Sequence, residues 1–135
     1  MDFKAPFKQI KETCLYVKSI DKAEAFYNRK LQFPVISKVE GRHIFFEVGS
    51  SVLLCFVASE TANEKTLPPH FAEGNQHLAF EVTLESYEQK KSWVIDQDIE
   101  LTHIQKWGDQ YESFYFEDYE SNVLEVVPEG MWSRK

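Results

Sequence analysis

The chain has 135 residues, 43% of them hydrophobic, and a net charge of −7. That length can bury one good core but would leave two independent domains marginally stable, and the acidic balance disfavours nucleic acid or an anionic membrane surface, both of which demand concentrated Lys and Arg. No stretch approaches the ~20 apolar residues needed to cross a bilayer, and Met1 to Pro6 carries no apolar run of the leader type, so a cytoplasmic protein is expected.

In chain order, alternation predicts a strand over 10–17, and a stripe of Ala23, Phe26, Tyr27 and Leu31 predicts a helix over 21–32 that Phe33-Pro34 ends. Asp21 with Glu24 three residues on has the form of a capping box. Strands follow near 34–40, 43–48 and 51–58. Residues 59–75, with Pro68-Pro69 and Gly74, read as a linker long enough to act as a lid or wall. The pattern then starts again. It runs as a strand over 76–83, a helix over 86–97 opened by Ser86 and Gln89 with Leu84, Tyr87 and Val94 on one face, and strands near 99–106, 112–118 and 122–128.

This is one unit written twice. Glu12 to Val17 and His77 to Val82 stand 65 residues apart, as do the two capping signals. Further on, Phe45-Phe46-Glu47 matches Tyr115-Phe116-Glu117 at an offset of 70, and Val52-Leu53 matches Val123-Leu124 at 71. An offset that drifts only in loops marks a duplicated βαβββ unit. The expectation is a single α+β domain over 1–135, with modules at 8–58 and 76–128 joined by 59–75, and eight strands curling into a cup. Each module leaves strand edges and one sheet face unsatisfied, so a homodimer is expected.

Strand parity decides which side chains meet. If Leu15, Val17, Leu78, Phe80, Val82, Leu124 and Val126 pack under the helices, the opposite face carries Glu12, Cys14, Tyr16, His77, Ala79, Glu81, Val123, Glu125 and Val127. Carboxylates inside an apolar and aromatic cup are costly unless a cation or hydrogen bonds compensate them. Glu12, His77 and Glu125 share that face, and two carboxylates with one neutral imidazole balance one divalent ion. Each also has a plainer reading: Glu12 as a surface pair with Lys11, His77 as a hydrogen-bonded core histidine, and Glu125 as solvated surface, which its apolar strand argues against. His70, after two prolines, is either an ordinary loop residue or a proton shuttle or substrate contact on a loop folded over the cup. His43 and His103 read as ordinary strand histidines. Tyr16, Phe45, Phe56, Trp107, Phe114 and Phe116 serve the core or, where they face the cup, a wall for a flat organic ligand. The same parity puts Cys14 in the cup and Cys55 under the first helix, so no disulfide is expected between them.

Three stretches carry a family resemblance: Leu15 to Asp21 running through Phe26-Tyr27 to Leu31-Gln32-Phe33, then Gly74 to Val82, then Ser113 to Glu125. The chain resembles the vicinal oxygen chelate superfamily of glyoxalase I, fosfomycin-resistance thiol transferases, extradiol dioxygenases and bleomycin-resistance proteins. It looks most like a glyoxalase-like subgroup with a Glu-Thr-Cys-Leu-Tyr opening at Glu12, a Gly-Arg-His strand at Gly41, a Pro-Pro-His loop at Pro68 and a Trp-Gly turn at Trp107. The resemblance implies metal positions at Glu12, His77 and Glu125, with Glu12 where His is common. Leu54 stands where glyoxalase I has a fourth ligand. It further implies a divalent ion (Mn, Zn, Ni or Fe), a small oxygen-chelating substrate and a homodimer. An oxygen-rich set favours Mn. In this reading Glu12 or Glu125 moves a proton, with His70 as a further catalytic candidate. Isomerase or lyase, transferase and dioxygenase chemistry all stay open. The alternative is a metal-free binding protein of the bleomycin-resistance kind.

Overall fold

A computed structural model describes residues 5–133, and the outermost residues of the expected 1–135 domain lie outside that range. In chain order the elements are β1 (Glu12–Val17), α1 (Ile20–Ala23, continuing through Glu24–Lys30 as a π-helix), β2 (Val35–Val39), β3 (His43–Val48) and β4 (Ser51–Val57). After α2 (Ala58–Ala62) come β5 (His77–Val82), α3 (Tyr87–Asp96), β6 (His103–Trp107), β7 (Tyr111–Glu117) and β8 (Val123–Pro128). The eight strands and the βαβββ repeat are as the sequence predicts.

The strands form two four-stranded sheets with matching order, β1-β4-β3-β2 and β5-β8-β7-β6, in which β1 runs parallel to β4 and β5 parallel to β8. Among the described residues no strand pairing joins one sheet to the other, so within one chain the expected eight-stranded cup is two separate sheets. They share a core instead. The helix-bearing faces meet in one apolar cluster containing Leu15, Val17, Ile44, Phe46, Phe114, Phe116, Leu124 and Val126. Phe26 of the first helix packs on Phe116 with ring centroids 6.2 Å apart, and Phe33 on Phe80 at 5.2 Å. Parity is thus observed: Leu78, Phe80 and Val82 pack against this cluster, while Ala79 and Glu81 between them are exposed.

Both helix starts differ from the capping-box reading. Ser19, not Asp21, is the first N-cap, its Oγ accepting from Lys22 N at 3.1 Å. The cause is Glu120, whose carboxylate accepts from the backbone N–H groups of Lys18 and Ser19 at 2.7 and 3.2 Å and fixes the entry of the chain two residues earlier. Ser86 makes no side-chain cap; Thr83 Oγ1 accepts from its backbone N–H instead, at 3.2 Å. Leu84, read as part of the second helix's apolar face, precedes that helix and is exposed. The first helix keeps its predicted stripe, with Ala23, Phe26, Tyr27 and Leu31 all buried, but Leu31 N donates to Phe26 O five residues back. That wider turn brings Phe26 and Tyr27 both onto the core, their rings edge to face at 5.2 Å. Among the described residues no helix is long and apolar enough to cross a membrane.

Candidate functional site

Each sheet has a second face outside the shared core, and the candidate residues lie on those two faces. On the second module, His77 opens β5 and Glu125 sits mid-way along β8, one strand over. His77 Nδ1 lies 2.8 Å from Val123 O. A carbonyl oxygen can only accept, so Nδ1 carries the proton and Nε2 presents its lone pair. That Nε2 is 3.3 Å from Glu125 Oε1. Two acceptors therefore face each other, on a glutamate only 6% exposed, an arrangement that a proton or a metal cation between them would relieve.

Tyr115 completes this corner. It pairs directly with Glu125 across the β7–β8 ladder, and its ring stacks near His77 at 6.2 Å. Burial first, then the neighbouring Glu125 carboxylate, push the phenol above its ordinary range, so the hydroxyl stays protonated beside the carboxylate. Sequence reasoning missed Tyr115. The signal was present, because the short turn over 118–122 already fixes the register that sets 115 opposite 125.

Glu12 opens β1 on the corresponding face of the first module. Two residues apart on this strand, Glu12 and Cys14 share a side of it, and burial and then the charge of Glu12 raise the Cys14 thiol. The Glu12 side chain is exposed and makes no hydrogen bond or ion pair to another described residue. No group of three His, Cys, Asp or Glu side chains gathers among the described residues. The single chain thus brings His77 and Glu125 together and leaves Glu12 apart. Leu54, at the position of the absent fourth ligand, pairs with Cys14.

The linker is more ordered than its composition suggested. It begins with α2, whose Thr61 O accepts from His70 N at 3.1 Å, so the Pro-Pro-His loop folds back over the first module. There His70 Nδ1 meets Tyr16 Oη at 2.5 Å and the ring stands edge-on to Phe56 at 4.9 Å. His43 is buried on the same face, stacked on Phe45 at 4.1 Å. Burial and then the neighbouring Arg42 lower its pKa, and Arg42 Nη1 donates to its Nδ1. His103 is exposed and bonded to Gln105, and it pairs with Tyr115 on the far side from Glu125, their rings 5.6 Å apart. Of the other aromatics, Phe114 and Phe116 are core, whereas Tyr16, Phe45 and Phe56 line the open face. A cleft of about 960 Å³ is lined by Tyr16, Lys18, Lys22, Phe71, Tyr119 and Asn122 among others; it includes none of Glu12, His77 and Glu125, so the donor chemistry rather than the size of the hollow locates the candidate site.

The comparisons with known proteins agree with this architecture. Lactoylglutathione lyase from Agrobacterium tumefaciens is similar over 96% of this chain and 100% of that one, at 28% identity and a TM-score of 0.88. A glyoxalase/bleomycin resistance protein/dioxygenase from Nocardioides covers 95% of this chain and 89% of its own, with 17% identity and a TM-score of 0.72. A glyoxalase family protein from Enterococcus faecalis covers 90% and 98%, with 23% identity and a TM-score of 0.66. A search of curated proteins returned no match. The model of one family matches residues 9–126, from just before β1 to within β8, and the chain belongs to that family, the Glyoxalase/Bleomycin resistance protein/Dioxygenase superfamily.

Proposed function

We propose that the protein is a metal-dependent enzyme acting on a small substrate with vicinal oxygens, with His77 and Glu125 of one chain and Glu12 of a second copy holding a divalent ion (Mn, Zn, Ni or Fe). The observation that carries this reading is the His77 Nε2 to Glu125 Oε1 approach of 3.3 Å, with the imidazole proton committed to Val123 O. The donor set fits such an ion: one neutral imidazole and carboxylates, with the bond to Val123 O orienting the imidazole from behind and Tyr115 paired directly beside Glu125. A bound divalent ion supplies Lewis-acid polarisation of substrate oxygens.

The chain's own residues do the rest. Tyr115, directly across from Glu125, is the phenol placed to donate its hydroxyl to that carboxylate. Glu125 or Glu12 takes and returns a proton at a substrate carbon beside its oxygens, which a carboxylate within hydrogen-bond reach can do. His70, held on Tyr16 and exposed, passes protons between the open face and solvent. Glu12 has no partner among the described residues of its own chain, and Ala79 and Glu81 beside His77 are exposed, so a second copy supplying Glu12 would also cover a bare face. The name of the Agrobacterium neighbour favours lyase chemistry among the open reaction classes.

The test is elemental analysis of protein purified without added metal, followed by titration with Mn²⁺, Zn²⁺, Ni²⁺ and Fe²⁺. Stoichiometric binding in the wild type and a loss of about tenfold or more in affinity for His77→Ala are expected. If no ion binds, or the His77→Ala variant binds equally well, the chain is instead a metal-free small-molecule binding protein of the bleomycin-resistance kind, a reading that the aromatic open face and Leu54 would then support.

A further inference from the structure

Where β1 runs into the first helix, Lys18 and Lys22 stand on a corner whose backbone is tightly held: Ser19 Oγ accepts from Lys22 N at 3.1 Å, and Glu120 accepts from the N–H groups of Lys18 and Ser19. The two side chains are not held. Both are exposed, and neither ammonium group has a hydrogen bond or ion pair to another described residue. Other lysines of the chain are committed, Lys38, Lys91 and Lys106 to carboxylates and Lys11 and Lys30 to backbone carbonyls.

Both lysines line the cleft of about 960 Å³ at the junction of the modules, a volume that suits a small organic molecule. This corner forms one wall with Tyr16, and the other walls are the start of α2 at Ser59, the linker over 71–75, and the β7–β8 turn at Tyr119. The linker wall offers donors. The backbone N–H groups of residues 71–75 make no hydrogen bond to another described residue. Two carboxylates also line the cleft, but Glu120 is already answered, its two oxygens accepting from Lys18 N and Ser19 N at 2.7, 2.9 and 3.2 Å. That leaves Glu73, exposed on the linker, against two ammonium groups. Beside them Phe71 and Tyr119 are 58% and 47% exposed, so an apolar body has surface to cover.

We propose that this cleft is a binding site for a small organic anion, whose phosphoryl or carboxylate group is met by Lys18 and Lys22 and whose apolar body lies against Phe71 and Tyr119. A lysine serves as a point charge for either group. The site contains none of the candidate metal ligands, and its ligand is bound whether or not an ion is held by His77 and Glu125. A chain of net charge −7 repels anions in general, so one that binds has found local positive charge.

The test is an NMR titration of the full-length protein with phenyl phosphate, benzoate, benzyl alcohol and benzylamine. At low salt the tighter of the two anions is expected to bind at least about fivefold more tightly than the alcohol or the amine, with the gap narrowing as salt rises. Which anion leads separates a phosphorylated ligand from a carboxylated one. Shifts are expected to concentrate at Tyr16, Lys18, Phe71 and Tyr119. The bonds of Lys18 and Lys22 run through their backbone, so Lys18→Gln/Lys22→Gln is expected to keep the fold and abolish the gap. Removing the same charge outside the cleft, in Lys8→Gln/Lys65→Gln, is expected to leave the gap in place. Anions that bind no tighter than the alcohol, no binding of any of the four, shifts centred on His77 and Glu125, or a gap that survives the cleft variant or is lost equally in the control would each overturn the proposal.

Discussion

Tyr27 Oη donates to Asp118 Oδ2 at 2.6 Å, tying the first module's helix to the end of β7 in the second through a fully buried bond. Asp118 also accepts from the backbone N–H groups of Glu120 and Asn122 and from Asn122 Nδ2, so one carboxylate organises the β7–β8 turn and the contact between modules. Burial, then the charge of Asp118, hold the phenol pKa well above its ordinary value, and the hydroxyl remains a donor. Tyr27→Phe keeps the ring in the core but removes the donor, and should cost about 1–2 kcal/mol. Urea denaturation is expected to show a lower midpoint with an unchanged slope and one transition for both modules. Separate transitions would mean that the halves do not share one cooperative core.

The distance of Glu12 from His77 within a chain gives the second prediction. If a second copy supplies Glu12, the variants Glu12→Ala and His77→Ala each lose metal, yet a hybrid of the two holds one site in which all three ligands are native. Co-refolding equal amounts should restore metal to about a quarter of the sites by random pairing. A mixture that stays as empty as its parents would place the ligands within one chain or remove Glu12 from the set.

The sequence made the strands legible because each sheet buries one face, and alternation then fixes side as well as extent: Leu15 and Val17 inward, Cys14 and Tyr16 outward. Alternation carries no information on how one sheet is turned relative to another. His77 and Glu125, on neighbouring strands of one sheet, could therefore be paired correctly, while the separation of Glu12 could not be read. Local competition hid the rest. Glu120, about a hundred residues away in sequence, holds the N–H groups of Lys18 and Ser19, and the cap falls on Ser19 rather than on the Asp21 of the capping-box reading; a π-helical turn in turn differs from an α-helical one by a single residue in its bonds. The linker helix over Ala58–Ala62 has no apolar period to betray it.

Acid sensitivity should come in part from Glu112. Burial alone would raise its pKa, but hydrogen bonds from Lys106, Lys91 and Tyr87 outweigh burial and lower it from 4.5 to about 2. A carboxylate depressed in the folded state contributes stability that is present above its unfolded value and is lost as pH falls through the folded one. The window is thus from pH 4.5 down to about 2. Wild type should melt above Glu112→Gln at neutral pH, and the two should converge near the bottom of that window. A gap that persists unchanged at the lowest pH would mean that the charge of Glu112 is not what stabilises the contact between α3 and β7.

The two cysteines test strand parity by chemistry. Cys55 is fully buried in the core, and its thiol is pushed far up by burial and then by Asp118; Cys14 is part-exposed on the open face, raised by burial and then by Glu12. Neither is a ready nucleophile, since thiolate is the reactive form, but the difference in access is large. Under native conditions a thiol-specific reagent at mildly alkaline pH should label Cys14 slowly and Cys55 only on global unfolding, with both free in denaturant. Because neighbouring strands β1 and β4 set Cys14 opposite Leu54 and Leu15 opposite Cys55, the two thiols point to opposite faces. Oxidation of the folded protein should leave no disulfide between them. An intrachain Cys14–Cys55 disulfide formed without unfolding would contradict the parity on which the placement of Glu12, His77 and Glu125 depends.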